Sequence, residues 1–227
     1  MINRRALLTG LGSFLPLTLA ACSTPSDFLM PAASHAPEQP EFPPHVRTMY
    51  RALPDEKFPV PAVNLESLDP NFVRKVVAYP TPEKPGSVIV DTATCYLYHV
   101  NDNGTAVRYG VGIGAAGFEW SGRAHIAYKR EWPTWTPPAE MIKRQPELEK
   151  WRRGMPPGID NPLGARSLYI HQANRDTLYR IHGTGEAHTI GKAVSSGCVR
   201  LLHQDIIDLH QRVRSGSTLV VMSSAVA

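Results

Sequence analysis

The 227-residue chain has three cysteines, too few for the disulfide framework of a small secreted scaffold. It also has little net charge. Twenty-four Lys and Arg against twenty Asp and Glu leave +4, and no basic stripe or Arg-rich helix concentrates it, which argues against nucleic acid as a partner. Beyond the first 21 residues no run is long and apolar enough to cross a bilayer, which takes about 20 residues. No segment repeats at a fixed period. Ser195 and Ser196 lack the G-x-S-x-G elbow or S-x-x-K pair of a serine nucleophile. A zinc site built from His182, His188, Cys198 and His203 would need the spacings H-x5-H and C-x4-H, which match no familiar zinc pattern.

What is present begins with an export signal. In MINRRALLTGLGSFLPLTLAACS, Arg4 and Arg5 form a positive n-region, and Ala6 to Ala21 form a largely apolar h-region too short for a comfortable membrane span. Leu19-Ala20-Ala21-Cys22 resembles a bacterial lipobox. The resemblance implies cleavage after residue 21 and a lipid on Cys22, with Ser23 favouring onward sorting to the outer membrane. The expected location is therefore the periplasm, lipid-anchored, and the arginine pair leaves Sec and twin-arginine export both open.

Proline is abundant and unevenly placed: thirteen of twenty-one fall between Pro25 and Pro85. Residues 22–45 accordingly read as a Pro-rich tether with little apolar material to offset the entropy of ordering. Residues 46–85 read as an N-terminal arm whose apolar side chains can pack on a neighbouring domain. Within it, Asp69 and Pro70 suggest the cap and first position of one short helix.

From Gly86 the texture is short strands, in SVIVDT, CYLYHV, AVRYGVGIG, RAHIAYK, ARSLYIHQ, DTLYRIH and STLVVM, with the turn signal Asn101 to Gly104 between two of them. Cys95 reads as a strand-interior thiol. Ile206, Leu209 and Val213 recur at helical spacing, and that helix is expected to open near His203. Residues 86–224 are thus predicted to be a mainly β domain with one or two helices.

The chemistry concentrates in RIHGTGEAHTIGKAVSSGCVRL, residues 180–201. A thiol with its usual pKa of about 8.5 is mostly protonated at neutral pH, so a cysteine nucleophile needs a base and a group that orients the base. His182 closes the apolar run LYRI and is the candidate base for Cys198. The intervening glycines, Gly183, Gly185, Gly191 and Gly197, let the chain double back. Gly197 would also let a substrate carbonyl approach backbone N–H groups as an oxyanion hole. A structural cysteine, including a disulfide from Cys198 to Cys95, is the alternative that these residues alone leave open. Trp132 and Trp135 in EWPTWTPP line a peptide groove or fill the core. Tyr179 and Arg180 alternate before His182, and one of them should face the cleft.

The string IHGT…IG…SSGCVRL…D, with NPLGARSLYI and the IVDT strand upstream, resembles the catalytic signature of the L,D-transpeptidase family (YkuD-type domain). The resemblance implies a β-sandwich or barrel-like domain that acts on peptidoglycan stem peptides without metal or cofactor. It implies Cys198 as nucleophile, His182 as base and the Gly183 carbonyl as the group that orients it. Thr184, Ser196 and Arg200 become expected substrate contacts, with Gly197 beside the oxyanion site. Ser196 stands where the commoner motif has a second histidine, which places the base role on His182, with His188 as a candidate substitute. The acceptor, an amine of another stem or of a protein, or water in a carboxypeptidase or hydrolase, stays open. So does a non-catalytic peptidoglycan-binding lipoprotein.

Overall fold

The computed structural model describes residues 41–114, 121–195 and 198–222. The predicted tether, Cys22 and the signal lie outside the described residues.

Alternating apolar residues build one large mixed sheet. Its strands are β1 (Lys75–Ala78), β2 (Val88–Asp91), β3 (Tyr96–Val100), β4 (Thr105–Gly110), β6 (Gly122–Glu131), β7 (Arg166–Gln172), β8 (Arg175–Thr184), β10 (Val199–Leu202) and β11 (Thr218–Met222), with β5 (Ile113–Gly114) and β9 (Ala193–Ser195) forming a separate parallel pair. The order across the sheet is β1-β4-β3-β2-β11-β6-β7-β8-β10. Two neighbour pairs are parallel, β2 with β11 and β8 with β10. Beyond β4 the chain curls onto the far edge: Gly112 and Arg200 exchange backbone hydrogen bonds, both 2.9 Å, so the sheet rolls toward a barrel. The mainly β, barrel-like expectation holds.

Inside the roll, Val88, Val90, Leu97, Ile126, Leu168, Ile170, Ile181, Val199 and Leu201 are buried against one helix, α3 (His203–Arg212). Ile206, Leu209 and, just past the helix end, Val213 supply its apolar stripe. The helix opens at His203, as its pattern predicts.

Two expectations are corrected. Cys95 is not inside a strand; it has φ 58°, ends the turn from Asp91 and precedes β3. The helix at Asp69 is a single 3-10 turn, Pro70–Phe72. Asp69 accepts the Asn71 N–H at 2.8 Å, as a cap should, but the β-branched Val76 and Val77 then join the sheet edge as β1 beside β4.

The arm does more than cover the sheet. Helix α1 (Pro44–Met49) and the segments on either side of it bury Phe42, Val46, Tyr50 and Leu68 against Ala187, Ile190 and Leu202. Ala187 and Ile190 belong to the loop between His182 and Cys198, so the arm braces that loop. Phe72 lies directly against Gly191, whose φ of 81° and crowded Cα leave no room for a side chain. Polar contacts fasten the same junction. The Tyr50 hydroxyl donates to Asp205 at 3.0 Å and accepts from the Arg74 N–H at 2.9 Å, and Arg74 meets Asp208 at 3.0 Å. Burial raises the Asp205 carboxyl to about 7 even with Arg74 nearby.

Candidate active site

Strand pairing decides which side chains meet. In the parallel β8–β10 pair, Ile181 is level with Val199 and His182 with Arg200. Ile181, Val199 and Leu201 are fully buried in the core, so the alternate residues Arg180, His182 and Thr184, with Cys198, Arg200 and Leu202, share the opposite face. Antiparallel β7 adds Ser167 beside His182 and Tyr169 beside Arg180. Cys198 stands one residue before β10. This puts it level with Arg180 and one diagonal step from His182, on the order of 7 Å by sheet geometry.

His182 is 6 % exposed, and its Nδ1 is 3.0 Å from the Gly183 carbonyl oxygen. A carbonyl only accepts, so Nδ1 carries the proton and Nε2 keeps its lone pair. Burial lowers the His182 pKa to about 4, with a smaller contribution from the positive charge of Arg200. The imidazole is therefore neutral at physiological pH. Burial pushes the Cys198 thiol up, partly opposed by the Arg180 backbone N–H and by the Arg180 and Arg200 charges. Both partners are uncharged at rest.

Gly183 presents its carbonyl because the backbone is wedged from behind. His203 lies under it, accepting the Ala165 N–H at Nδ1 (3.4 Å), and a Cβ on Gly183 would stand 2.7 Å from that nitrogen. Gly164, at φ 62°, closes the other side; its Cβ would fall 2.8 Å from the Gly183 oxygen. Gly183→Ala should therefore cost about 1–3 kcal/mol through overpacking and turn the carbonyl away from His182. We expect a lower melting temperature together with slower modification of Cys198 by substrate. A variant that matches the parent in both would show that the wedge is not what aims His182.

A cavity of about 540 Å³ opens over the cysteine, lined by Trp135, Met141, Arg144, Tyr169, Arg180 and Cys198 among others. Its outer wall comes from the segment between β6 and β7, which carries helix α2 (Ala139–Arg144). Asn161 ties that segment together: Nδ2 donates to the carbonyls of Pro133, Met155 and Pro156, and Oδ1 accepts the Leu163 N–H. A second cavity of about 550 Å³ lies toward Gly183, Thr184, Glu186 and Arg200.

The remaining predicted residues fall as follows. Cys95 and Cys198 are both thiols, so the disulfide alternative is not realised. Thr184 is buried, and its hydroxyl accepts the Glu186 N–H at 3.1 Å, which shapes the loop. Arg200 meets Glu186 at 3.0 Å. His188 is exposed in the 3-10 turn Ala187–Thr189 and does not line the Cys198 cavity. Ser196 and Gly197 lie outside the described residues. The tryptophans divide. Trp135 lines the cavity, whereas Trp132 is buried against Phe58 and donates its indole N–H to Glu56 at 3.0 Å. Of the strand pair before the histidine, Arg180 shares the His182 face, whereas Tyr179, partly buried, packs against the core and also contributes to the cavity lining. Sequence reasoning missed His203, Gly164 and Asn161 as supports. For Asn161 and Gly164, membership of the NPLGA string was the available signal.

A profile of the L,D-transpeptidase catalytic domain (YkuD) matches residues 85–222. An Escherichia coli protein described as a probable L,D-transpeptidase, ErfK/SrfK, is 35 % identical over 148 residues, which cover 61 % of this chain and 44 % of that one. The chain thus spans less than half the length of that curated relative. Among solved structures, a Brucella melitensis protein titled a probable carnitine operon oxidoreductase is 43 % identical over 70 % of this chain and 99 % of its own, with a TM-score of 0.48. An Enterococcus faecium L,D-transpeptidase is 15 % identical over 61 % of this chain and 50 % of its own, with a TM-score of 0.43.

Proposed function

The chain belongs to the YkuD family of L,D-transpeptidase catalytic domains, and from that premise we propose that it is a cysteine acyltransferase acting on peptidoglycan stem peptides. The observation that supports this most is a neutral, buried His182, held by the Gly183 carbonyl with Nε2 left as acceptor, beside Cys198 under an open cavity. The Cys198 sulfur bonds to the carbonyl carbon of the third residue of a stem tetrapeptide as His182 Nε2 takes the thiol proton. The carbonyl oxygen becomes an oxyanion, for which backbone N–H groups at Gly197 and Cys198 are the proposed donors. Breaking the C–N bond releases D-alanine, whose amine receives the proton from His182. An acceptor amine then attacks the thioester, His182 takes its proton, and the sulfur leaves and recovers it. The acceptor is the side-chain amine of a second stem, giving a 3→3 cross-link, or an amine of a protein. Ser196 and Arg200 contact the stem, and Thr184 holds the loop edge of the second cavity. No step calls on a cofactor.

Export and lipid attachment at Cys22 would anchor the enzyme in the periplasm, at the outer membrane, with residues 22–45 as the tether. Fatty-acid labelling that maps elsewhere than Cys22, or nowhere, would refute that anchor. The activity itself is tested by mixing the purified protein with disaccharide-tetrapeptide and following it by intact mass. A thioester adduct, free D-alanine and a cross-linked dimer are expected. Tripeptide without dimer would make the protein a hydrolase, and binding without adduct a wall-binding protein.

A further inference from the structure

Arg180 is level with the nucleophile and lines the same cavity. Its side chain is only 13 % exposed and is held on three sides. Nη1 and Nη2 donate to the two Asp176 carboxylate oxygens at 2.7 and 2.8 Å, and Nη1 also donates to the Tyr179 carbonyl at 2.8 Å. The guanidinium stacks on Tyr169, 4.3 Å from the ring centroid, and Tyr169 in turn stacks on Tyr128 at 4.3 Å. These bonds occupy the end-on edge of the guanidinium. The other edge, Nε–H with the second Nη2–H, has no acceptor among the described residues, and that edge is a carboxylate-matching fork. Arg144, near the end of α2, lines the same cavity and makes no ion pair among the described residues. Glu140, also in the lining, is paired with Lys143 at 2.7 Å.

We propose that Arg180, fixed by Asp176 and the Tyr169–Tyr128 stack, anchors the terminal carboxylate of the acyl donor, with Arg144 adding positive charge from the cavity wall. This rests on the acyl-transfer reading above and names the residue by which the site recognises the end of its tetrapeptide donor. The placement suits that role: the carboxylate of a single leaving residue is three bonds from the attacked carbon, about 4 Å away, and Arg180 lines the same cavity as Cys198. One more residue would move the charge about 3.5 Å further and leave a neutral amide at the fork.

Two measurements test it, the first without turnover. Cys198 is alkylated with iodoacetate and, separately, with iodoacetamide, and the modified peptide is quantified against an unstructured cysteine peptide. The iodoacetate-to-iodoacetamide rate ratio at Cys198 should exceed the reference by about tenfold, the worth of one charge-assisted contact, and most of that excess should vanish in Arg180→Gln and partly return in Arg180→Lys. A wild-type ratio no higher than the reference overturns the proposal, whether or not the variants fold. The second compares tetrapeptide donors ending in D-alanine and in D-alaninamide. With the wild type the amide should raise KM about tenfold with kcat little changed, and Arg180→Gln should treat the two donors alike. Equal KM values for the wild type also overturn the proposal. Should neither donor acylate Cys198, the acyl-transfer reading fails, while the alkylation ratio still decides whether an anion site exists.

Discussion

Cys198→Ala is expected to abolish acyl transfer, with no thioester adduct, no D-alanine released and turnover reduced by roughly 10⁴-fold or more. The whole sequence of bond changes passes through this sulfur, and among the described residues no other thiol lines the cavity. Cys95, the other thiol in the domain, lies in the turn before β3 and is absent from the cavity lining. Alanine should fold well at position 198. The residue precedes β10 outside the buried cluster, and the register of the β8–β10 pair is set by Ile181, Val199 and Leu201, which are untouched. The melting temperature should therefore stay within a few degrees of the parent, corresponding to a change of about 1 kcal/mol. Cys95→Ala is the matched control and should form the adduct at the parental rate. Adduct formation on the Cys198 variant, or its loss on the Cys95 variant, would move the nucleophile elsewhere. The comparison is read directly by intact mass.

Much of this was legible from local pattern. The hairpin at Asn101 to Gly104, the strand before His182 and the helix start at His203 follow from turn residues and periodicity, which act over a few positions. What escaped depends on contacts made far along the chain. Val76 and Val77 follow a valid Asp69–Pro70 cap, and only pairing with β4 turns that stretch from helix to strand. Cys95 adopts a left-handed backbone, rare outside glycine, to complete a tight link between β2 and β3. The roll of the sheet hangs on Gly112 meeting Arg200, a pairing with no local signature. At the site, the motif names Cys198, His182 and Gly183 but not what aims them. Gly164 and His203 act by filling space behind Gly183, and space-filling is invisible until the backbone is known. Arg180 belongs to the same class. Strand alternation says that either it or Tyr179 faces the cysteine, and the irregular register between β7 and β8 obscures which.

Replacing His182 with glutamine should slow acylation of Cys198 by about 10²–10⁴-fold while leaving its alkylation by iodoacetamide within a few-fold of the parent. Glutamine keeps a donor for the Gly183 carbonyl but offers no basic nitrogen, and a small alkylating agent needs only thiolate. Equal losses in both reactions would mean that the substitution had disturbed the cavity and not the base. The pH dependence carries the stronger information. His182 must be neutral to accept a proton, and burial lowers its pKa to about 4 from the usual 6.5. The acid limb of acylation should therefore fall near pH 4, and rates at pH 5.5 should remain close to those at pH 7. On the thiol side, burial pushes Cys198 upward, so iodoacetamide alkylation should climb with pH through the ordinary thiol range and beyond it, about tenfold per unit. A standing thiolate–imidazolium pair would instead give alkylation that is nearly flat from pH 5 to 8. The surroundings oppose such a pair. Two buried ions each carry a desolvation penalty of several kcal/mol, and the Arg200 charge that favours a thiolate disfavours an imidazolium beside it. The proton is thus best moved while the sulfur attacks, when the negative charge is already passing from sulfur to the carbonyl oxygen.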